Sequence, residues 1–168
     1  MQVKGEEMDR VAKEILKDVA LEGVMPKPRG PKNPVDHWSP AVLLERAAYL
    51  RKMAKFGDGS DSETLKEYPQ HCVRLSFRSR NGVAEVHERI ADLFVVLAGA
   101  ATLVTGGTVC GAHNVAPGET RGDSIEGGMR QELRAGEIVH VPAGTPHQFL
   151  VSADKTVTCF VVKIQEAL

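Results

Sequence analysis

The sequence predicts a mostly β domain, an antiparallel sandwich or barrel, behind a helical N-terminal segment. Three observations carry this reading. From His71 onward, short apolar runs alternate with polar residues at the two-residue period of a strand. Glycine-rich or charged turns separate most of these runs. Before Gly57, apolar residues recur instead at helical spacing. The 168 residues suit one domain with a sizeable core.

The elements follow in order. Met8, Val11, Ala12, Ile15, Leu16, Val19 and Ala20 form a helical stripe that Gly23 and Pro26 close. The run MPKPRGPKNPVDHW reads as an extended connector, because its prolines cannot donate backbone hydrogen bonds. Ser39 can cap a second helix, with Pro40 at its first position. Leu43, Leu44, Ala47, Leu50 and Ala54 make its apolar face, and Gly57 with the run GDGSDS ends it. In HCVRLSFRS, Val73, Leu75 and Phe77 take one face, and Arg74, Ser76 and Arg78 the other. The strands VAEVH, DLFVVLA, ATLVTG, EIVHVP, HQFLVS and TVTCFVVKI follow. The stretch GAHNVAPGETRGDSIEGGMRQE reads as a long loop or irregular hairpin, and its Arg121-Gly122-Asp123 as a polar turn. The division is thus a helical extension and connector over residues 1–69 and a β domain over 70–168.

Composition removes some functions. Lysine plus arginine is 21 and aspartate plus glutamate 22, so no basic footprint marks a nucleic-acid or anionic-membrane partner. No apolar run reaches membrane-spanning length, and the N-terminal residues lack the apolar core of a signal peptide. Both point to a cytoplasmic protein. Cys72, Cys110 and Cys159 are odd in number and widely spaced, which suits small buried hydrophobes better than disulfides or a metal knuckle.

Two segments concentrate chemistry. In GVAEVHERIADLFVVLAG, Glu85 and His87 are two apart on a strand and face one side. Asp92 stands at an odd offset from His87, so it rejoins them only if ERIA bends. In GEIVHVPAGTPHQFLV, a strand ends at Pro142, Ala143-Gly144 turns tightly, and His147 opens the returning strand. These segments resemble the two motifs of the cupin superfamily. In the second motif Gly136, Pro142, Gly144 and His147 all fall in place, and Val151 stands where the family has asparagine. In the first motif Gly99 fixes the register. Asp92 then replaces the usual glutamate, His87 keeps the second histidine, Glu85 replaces the first, and Gly82 is one residue closer than the pattern. The phrases ATLVTGG, GETRGDSIEGG and VPAGTPHQ are also similar to a group of small bacterial cupins.

The resemblance implies an all-β double-stranded β-helix, the cupin or jelly-roll barrel. It also implies one divalent metal, held by Glu85, His87, Asp92 and His147. Two imidazoles and two carboxylates suit iron, manganese, zinc or nickel. The competing arrangement is a metal-free polar pocket in which an arginine, Arg89 or Arg74, neutralises the carboxylates. His140, Arg89 and Phe149 are candidates for substrate contact: His140 precedes the Pro142 turn, Arg89 suits the barrel mouth, and Phe149 suits a pocket wall. Two functions follow. One is a metal-dependent small-molecule enzyme, with isomerase, dioxygenase, decarboxylase or lyase chemistry. The other is a non-catalytic small-molecule binder.

An amphipathic helix on a proline-rich arm must bury its stripe on its own barrel or a neighbour's, and cupin relatives are often dimers. A homodimer with an N-terminal contribution is therefore expected. Deleting residues 1–35 should shift the sedimentation mass toward monomer; an unchanged mass, or a monomeric full-length chain, contradicts this.

Overall fold

The computed structural model describes residues 35–166. The stripe beginning at Met8, the arm invoked for dimerisation and most of the connector lie outside the described residues. Among those described, the only α-helix is α1 (Pro40–Ala54). It starts as expected: Ser39 Oγ accepts from Val42 N at 3.3 Å, and Pro40 fills the first turn. Leu43, Ala47, Leu50 and Ala54 bury against Leu75 and Phe77. Leu44, assigned to that face, is 44% exposed, and Arg46 is buried in its place. The offsets explain this. Residues 43, 46, 47, 50 and 54 form one stripe and 44 flanks it. Glu63 receives both Arg46 Nε and Nη2, so the buried guanidinium is paired.

Twelve strands follow. They are β1 (Ser60–Glu67), β2 (His71–Arg78), β3 (Ala84–His87), β4 (Ile90–Thr105), β5 (Thr108–Cys110) and β6 (His113–Ala116). Then come β7 (Glu119–Gly122), β8 (Ser124–Glu126), β9 (Met129–Arg134), β10 (Ile138–Val141), β11 (His147–Leu150) and β12 (Val157–Gln165). Ten of them join antiparallel in the order β1-β2-β12-β4-β11-β3-β7-β6, with β9 and β10 also on β4. The sheet curls into a double-stranded β-helix barrel. No helix among the described residues is long and apolar enough to cross a membrane.

Two segments differ from expectation. The sheet begins at Ser60, inside the run that ends the helix. SDSETLKE carries almost no apolar alternation; its structure comes from pairing with β2, from Ser60 opposite Arg78 to Glu67 opposite Cys72. The expected loop from Gly111 is built instead of strands β6 to β9, and β9 pairs with the second half of β4. These strands are short and mostly exposed, so they lack the apolar signature that marks a half-buried strand.

Strand β4 holds the barrel together. Its first half pairs with β12 and β10, and its second half with β9 and β11. The crossing point is Gly99, at φ 78°. A Cβ there would lie 1.9 Å from the Thr156 carbonyl oxygen. Phe94, Val96, Leu103, Leu133, Val141 and Val161 form the main core from both halves of β4 and from β9, β10 and β12. Val151 belongs to this core, and its backbone N–H donates to Asn81 Oδ1 at 2.8 Å. Of the cysteines, Cys159 is buried, while Cys72 and Cys110 are only partly so. Burial pushes the Cys159 thiol up to about 12.

Gly99→Ala should lower unfolding free energy by more than about 2 kcal/mol, combining backbone strain with the clash. Gly127→Ala shares the left-handed conformation (φ 70°) without a neighbour within 4 Å and should cost only about 1 kcal/mol. Urea unfolding of the two variants checks the difference.

Candidate metal and ligand site

The barrel interior gathers the residues of both segments from facing layers. One layer is β7, β3 and β11. Arg121 pairs opposite Glu85, Glu85 opposite His147, and Glu119 opposite His87. Directly opposed residues share a face, so all five look inward. The other layer is β4 and β12, where Asp92 lies opposite Lys163. The Glu88-Arg89 bend between β3 and β4 returns Asp92 across the barrel, as the odd offset required. Gly144 N donates to the His87 carbonyl at 2.7 Å, which ties the Pro142 turn to β3.

Glu85, His87, Asp92 and His147 therefore converge. Glu85 Oε2 lies 3.5 Å from His87 Nε2 and 3.7 Å from His147 Nε2. Asp92 Oδ2 lies 3.4 Å from each imidazole Nε2. Such spacings match the edges of a ligand set at about 2.1 Å from a shared centre. Ligand atoms of Glu85, His87 and His147 all lie within 4.8 Å of one another, a group that could hold a metal ion.

Asp92 has a second role that its place in the motif does not announce. It is 1% exposed, and both its oxygens receive the Lys163 ammonium, at 2.8 and 2.9 Å. Lys163 Nζ also stands 3.1 Å from His87 Nε2. The cation facing the carboxylates is thus Lys163, with Arg121 Nε 3.7 Å from Glu85. It is neither Arg89 nor Arg74.

Hydrogen bonding sets the imidazoles. His87 Nδ1 meets Glu119 Oε2 at 2.5 Å, and His147 Nδ1 meets the Thr145 carbonyl at 3.1 Å. Both directions leave the Nε2 atoms facing the centre. His147 Nε2 is buried without a hydrogen-bond partner. A buried polar atom without a hydrogen-bond partner is open to an ion, a ligand or a water.

The charges couple strongly. Burial drives Glu85 toward neutrality, but the hydrogen bond to His87 and the charges of Arg121 and His147 prevail and lower it to about 2. Asp92 is likewise held below its ordinary range: burial opposes, and His147, His87 and Lys163 overcome it. Burial and the Lys163 charge work against a proton on His87, yet Asp92 and Glu85 raise it to about 9.

A cavity of about 400 Å³ opens from this centre. Phe149 lines it as expected, edge-on to Phe94 with ring centroids 4.9 Å apart. The other two expected substrate contacts lie elsewhere. His140 is exposed because the alternation of β10 turns Val139 to the core and His140 away from it. Arg89 is exposed in the bend and borders a different hollow, with Glu88 and Gly118. Arg121 and Gly122 belong to strand β7 rather than a solvated turn, and Arg121 bridges Glu85 and Glu119.

Sequence reading missed Lys163, Glu119 and Arg121. Lys163 had a signal: it continues the inward series Val157, Cys159, Val161 at period two. Glu119 and Arg121 had a weaker one, a two-residue spacing inside the polar run ETRGDS.

No family model matches the chain, and neither does any curated protein. Solved structures do. TT1209 from Thermus thermophilus matches with a TM-score of 0.52 at 15% identity, over 74% of this chain and 95% of that one. An uncharacterised conserved protein with a double-stranded β-helix domain from Klebsiella pneumoniae gives 0.48 at 17% identity, over 63% and 76%. The polyketide cyclase RemF from Streptomyces resistomycificus gives 0.46 at 18% identity, over 63% of this chain and 65% of that one. The strand order is that of a curled antiparallel double-stranded β-helix, and the likeness to TT1209 is one of fold. The fold does not fix the chemistry.

The coupled charges set a pH dependence for the chelator-treated chain. Glu85 falls from 4.5 to about 2, so its stabilisation is present above pH 4.5 and lost as pH drops toward 2. Asp92 acts in the same direction. His87 rises from 6.5 to about 9, so its stabilisation is complete below pH 6.5 and lost as pH climbs through 9. Urea unfolding should therefore show greatest stability between these limbs. Asp92→Asn should move the alkaline limb to lower pH, because Asp92 helps hold the His87 proton; an unmoved limb contradicts the assignment.

Proposed function

We propose that the chain is a cupin that holds one divalent metal on Glu85, His87 and His147 and acts on a small molecule in the adjoining cavity. The observation that carries this is His147 Nε2, buried, without a partner, and convergent with His87 Nε2 and Glu85 Oε2. Two imidazoles and a carboxylate suit iron, manganese, zinc or nickel. A metal held there supplies Lewis-acid or redox chemistry, the common ground of the isomerase, dioxygenase, decarboxylase and lyase possibilities. The protein residues have separate tasks. Glu119 orients His87 through Nδ1, and the Thr145 carbonyl does the same for His147. Arg121 holds Glu85 and Glu119 in place. Lys163 joins His147 and His87 in keeping Asp92 ionised and places an ammonium donor beside the centre. Phe94 and Phe149 exclude water from one wall of the cavity.

One observation favours a second reading. The Lys163 ammonium already supplies a cation to Asp92, so buried charge there is balanced without a metal. This supports a metal-free cupin that binds a small molecule.

Elemental analysis of untagged protein, purified under reducing and metal-supplemented conditions, separates the two. The metal reading predicts about one divalent ion per chain, removed by chelator with a drop in thermal stability, and absent from His147→Ala. Glu119→Gln should weaken metal affinity about 10–100-fold by releasing His87. A metal-free wild type whose melting is indifferent to chelator rejects the metal reading and leaves the binder.

A further inference from the structure

Strand β2 is oriented opposite to an ordinary half-buried strand. Antiparallel sheets commonly bury an apolar face and leave the polar face to water. Here Leu75 and Phe77 of β2 bury against helix α1, outside the barrel. Arg74, Ser76 and Arg78 consequently face the cavity. Their placement is fixed by register. Arg74 lies opposite Val161, and Arg78 opposite Val157, on the strand that carries Lys163. Arg74 is thus one strand over and one inward-facing position from Lys163, a step of about 7 Å along the strand.

The acceptors for these guanidinium groups are incomplete. Arg74 Nη2 donates to Ser62 Oγ at 2.7 Å, while Arg74 Nε is buried and has no partner. Arg78 lies against Gly82, where a Cβ would come within 3.0 Å of its guanidinium carbon. Nearby carboxylates are engaged elsewhere. Asp92 holds Lys163, and Glu85 faces Arg121. At the cavity mouth, Asp58 Oδ1 accepts from Ser60 N and Oγ, and Asp61 Oδ1 accepts from Ser62 N. Asp58 also feels the Arg78 charge, but it is exposed.

A planar guanidinium with a free, buried N–H is suited to a carboxylate or phosphoryl oxygen. We infer that the cavity takes a small organic anion whose charged group is seated on Arg74 and Arg78. Its apolar body lies along Phe94 and Phe149, and its far end meets the Glu85–His87–His147 centre. This deepens the small-molecule reading above and does not depend on whether a metal is held.

The test uses the full chain, with and without chelator, and three matched probes: benzoate, phenyl phosphate and neutral benzamide. Calorimetry gives affinities, and the Arg Nε–H resonances report the contact. Saturable binding of benzoate or phenyl phosphate, at least tenfold tighter than benzamide and perturbing the Arg74 Nε–H signal, is expected. The tighter of the two anions identifies the charged group. Arg74→Gln and Arg78→Gln should each weaken binding tenfold or more, and Arg74→Lys, which keeps charge and loses the fork, should be intermediate. Equal binding of benzamide, no saturable binding at low salt, or anion affinity unchanged in folded Arg74→Gln, Arg74→Lys and Arg78→Gln overturns the inference. Metal content is measured on the same samples. Anion binding by a chain without metal supports this inference and removes only the metal. Metal without anion binding overturns this inference alone.

Discussion

Ionised carboxylates cannot sit in the interior of an apolar barrel unless a cation meets them, and the Lys163–Asp92 pair is where this chain satisfies that constraint. Asp92 is almost wholly buried, and Lys163 reaches both its oxygens. The pair joins the two central strands of one layer. Arg121 repeats the solution across the barrel, where it faces Glu85 and Glu119. Breaking either arrangement leaves a buried charge unmatched, which is far more costly than never having the pair. The layers, the bend after His87 and the Gly99 crossing all keep these charges in register.

The fold was largely legible because its strongest elements carry local signals. The alternation of β2 and β12, the capped start of α1 and the Pro142 turn each declare themselves in a few residues. What escaped was structure imposed by pairing alone. SDSETLKE has no apolar face of its own, β6 and β9 are mostly exposed, and β7 is polar, so their order comes from their neighbours rather than their composition. Leu44 shows the related limit: polarity assigned it to the buried face, where helix geometry and the pairing with Glu63 place Arg46 instead.

The site was legible in the same uneven way. Spacing brought Glu85 and His87 together, the odd offset demanded the bend to Asp92, and the turn delivered His147. The partners that set the chemistry come from distant positions. Lys163 is 71 residues from Asp92, and Glu119 is 32 from His87. No local pattern links such residues, although period-two alternation places Lys163 on the inner face. The need for a cation was derivable from electrostatics; its identity required the topology. The same topology turns the arginines of β2 inward, because a helix has covered the other face.

The structure thus separates two carboxylates that the motif treats alike. Both lie beside the imidazole Nε2 atoms, Asp92 at 3.4 Å and Glu85 at 3.5 and 3.7 Å, but only Asp92 also holds the lysine. Anomalous diffraction from a crystal loaded with manganese or zinc tests this division most directly. The account predicts one peak about 2.0–2.3 Å from Glu85, His87 Nε2 and His147 Nε2, with Lys163 still on both oxygens of Asp92. A peak coordinated by Asp92 with Lys163 displaced, or no peak at this centre, would contradict it.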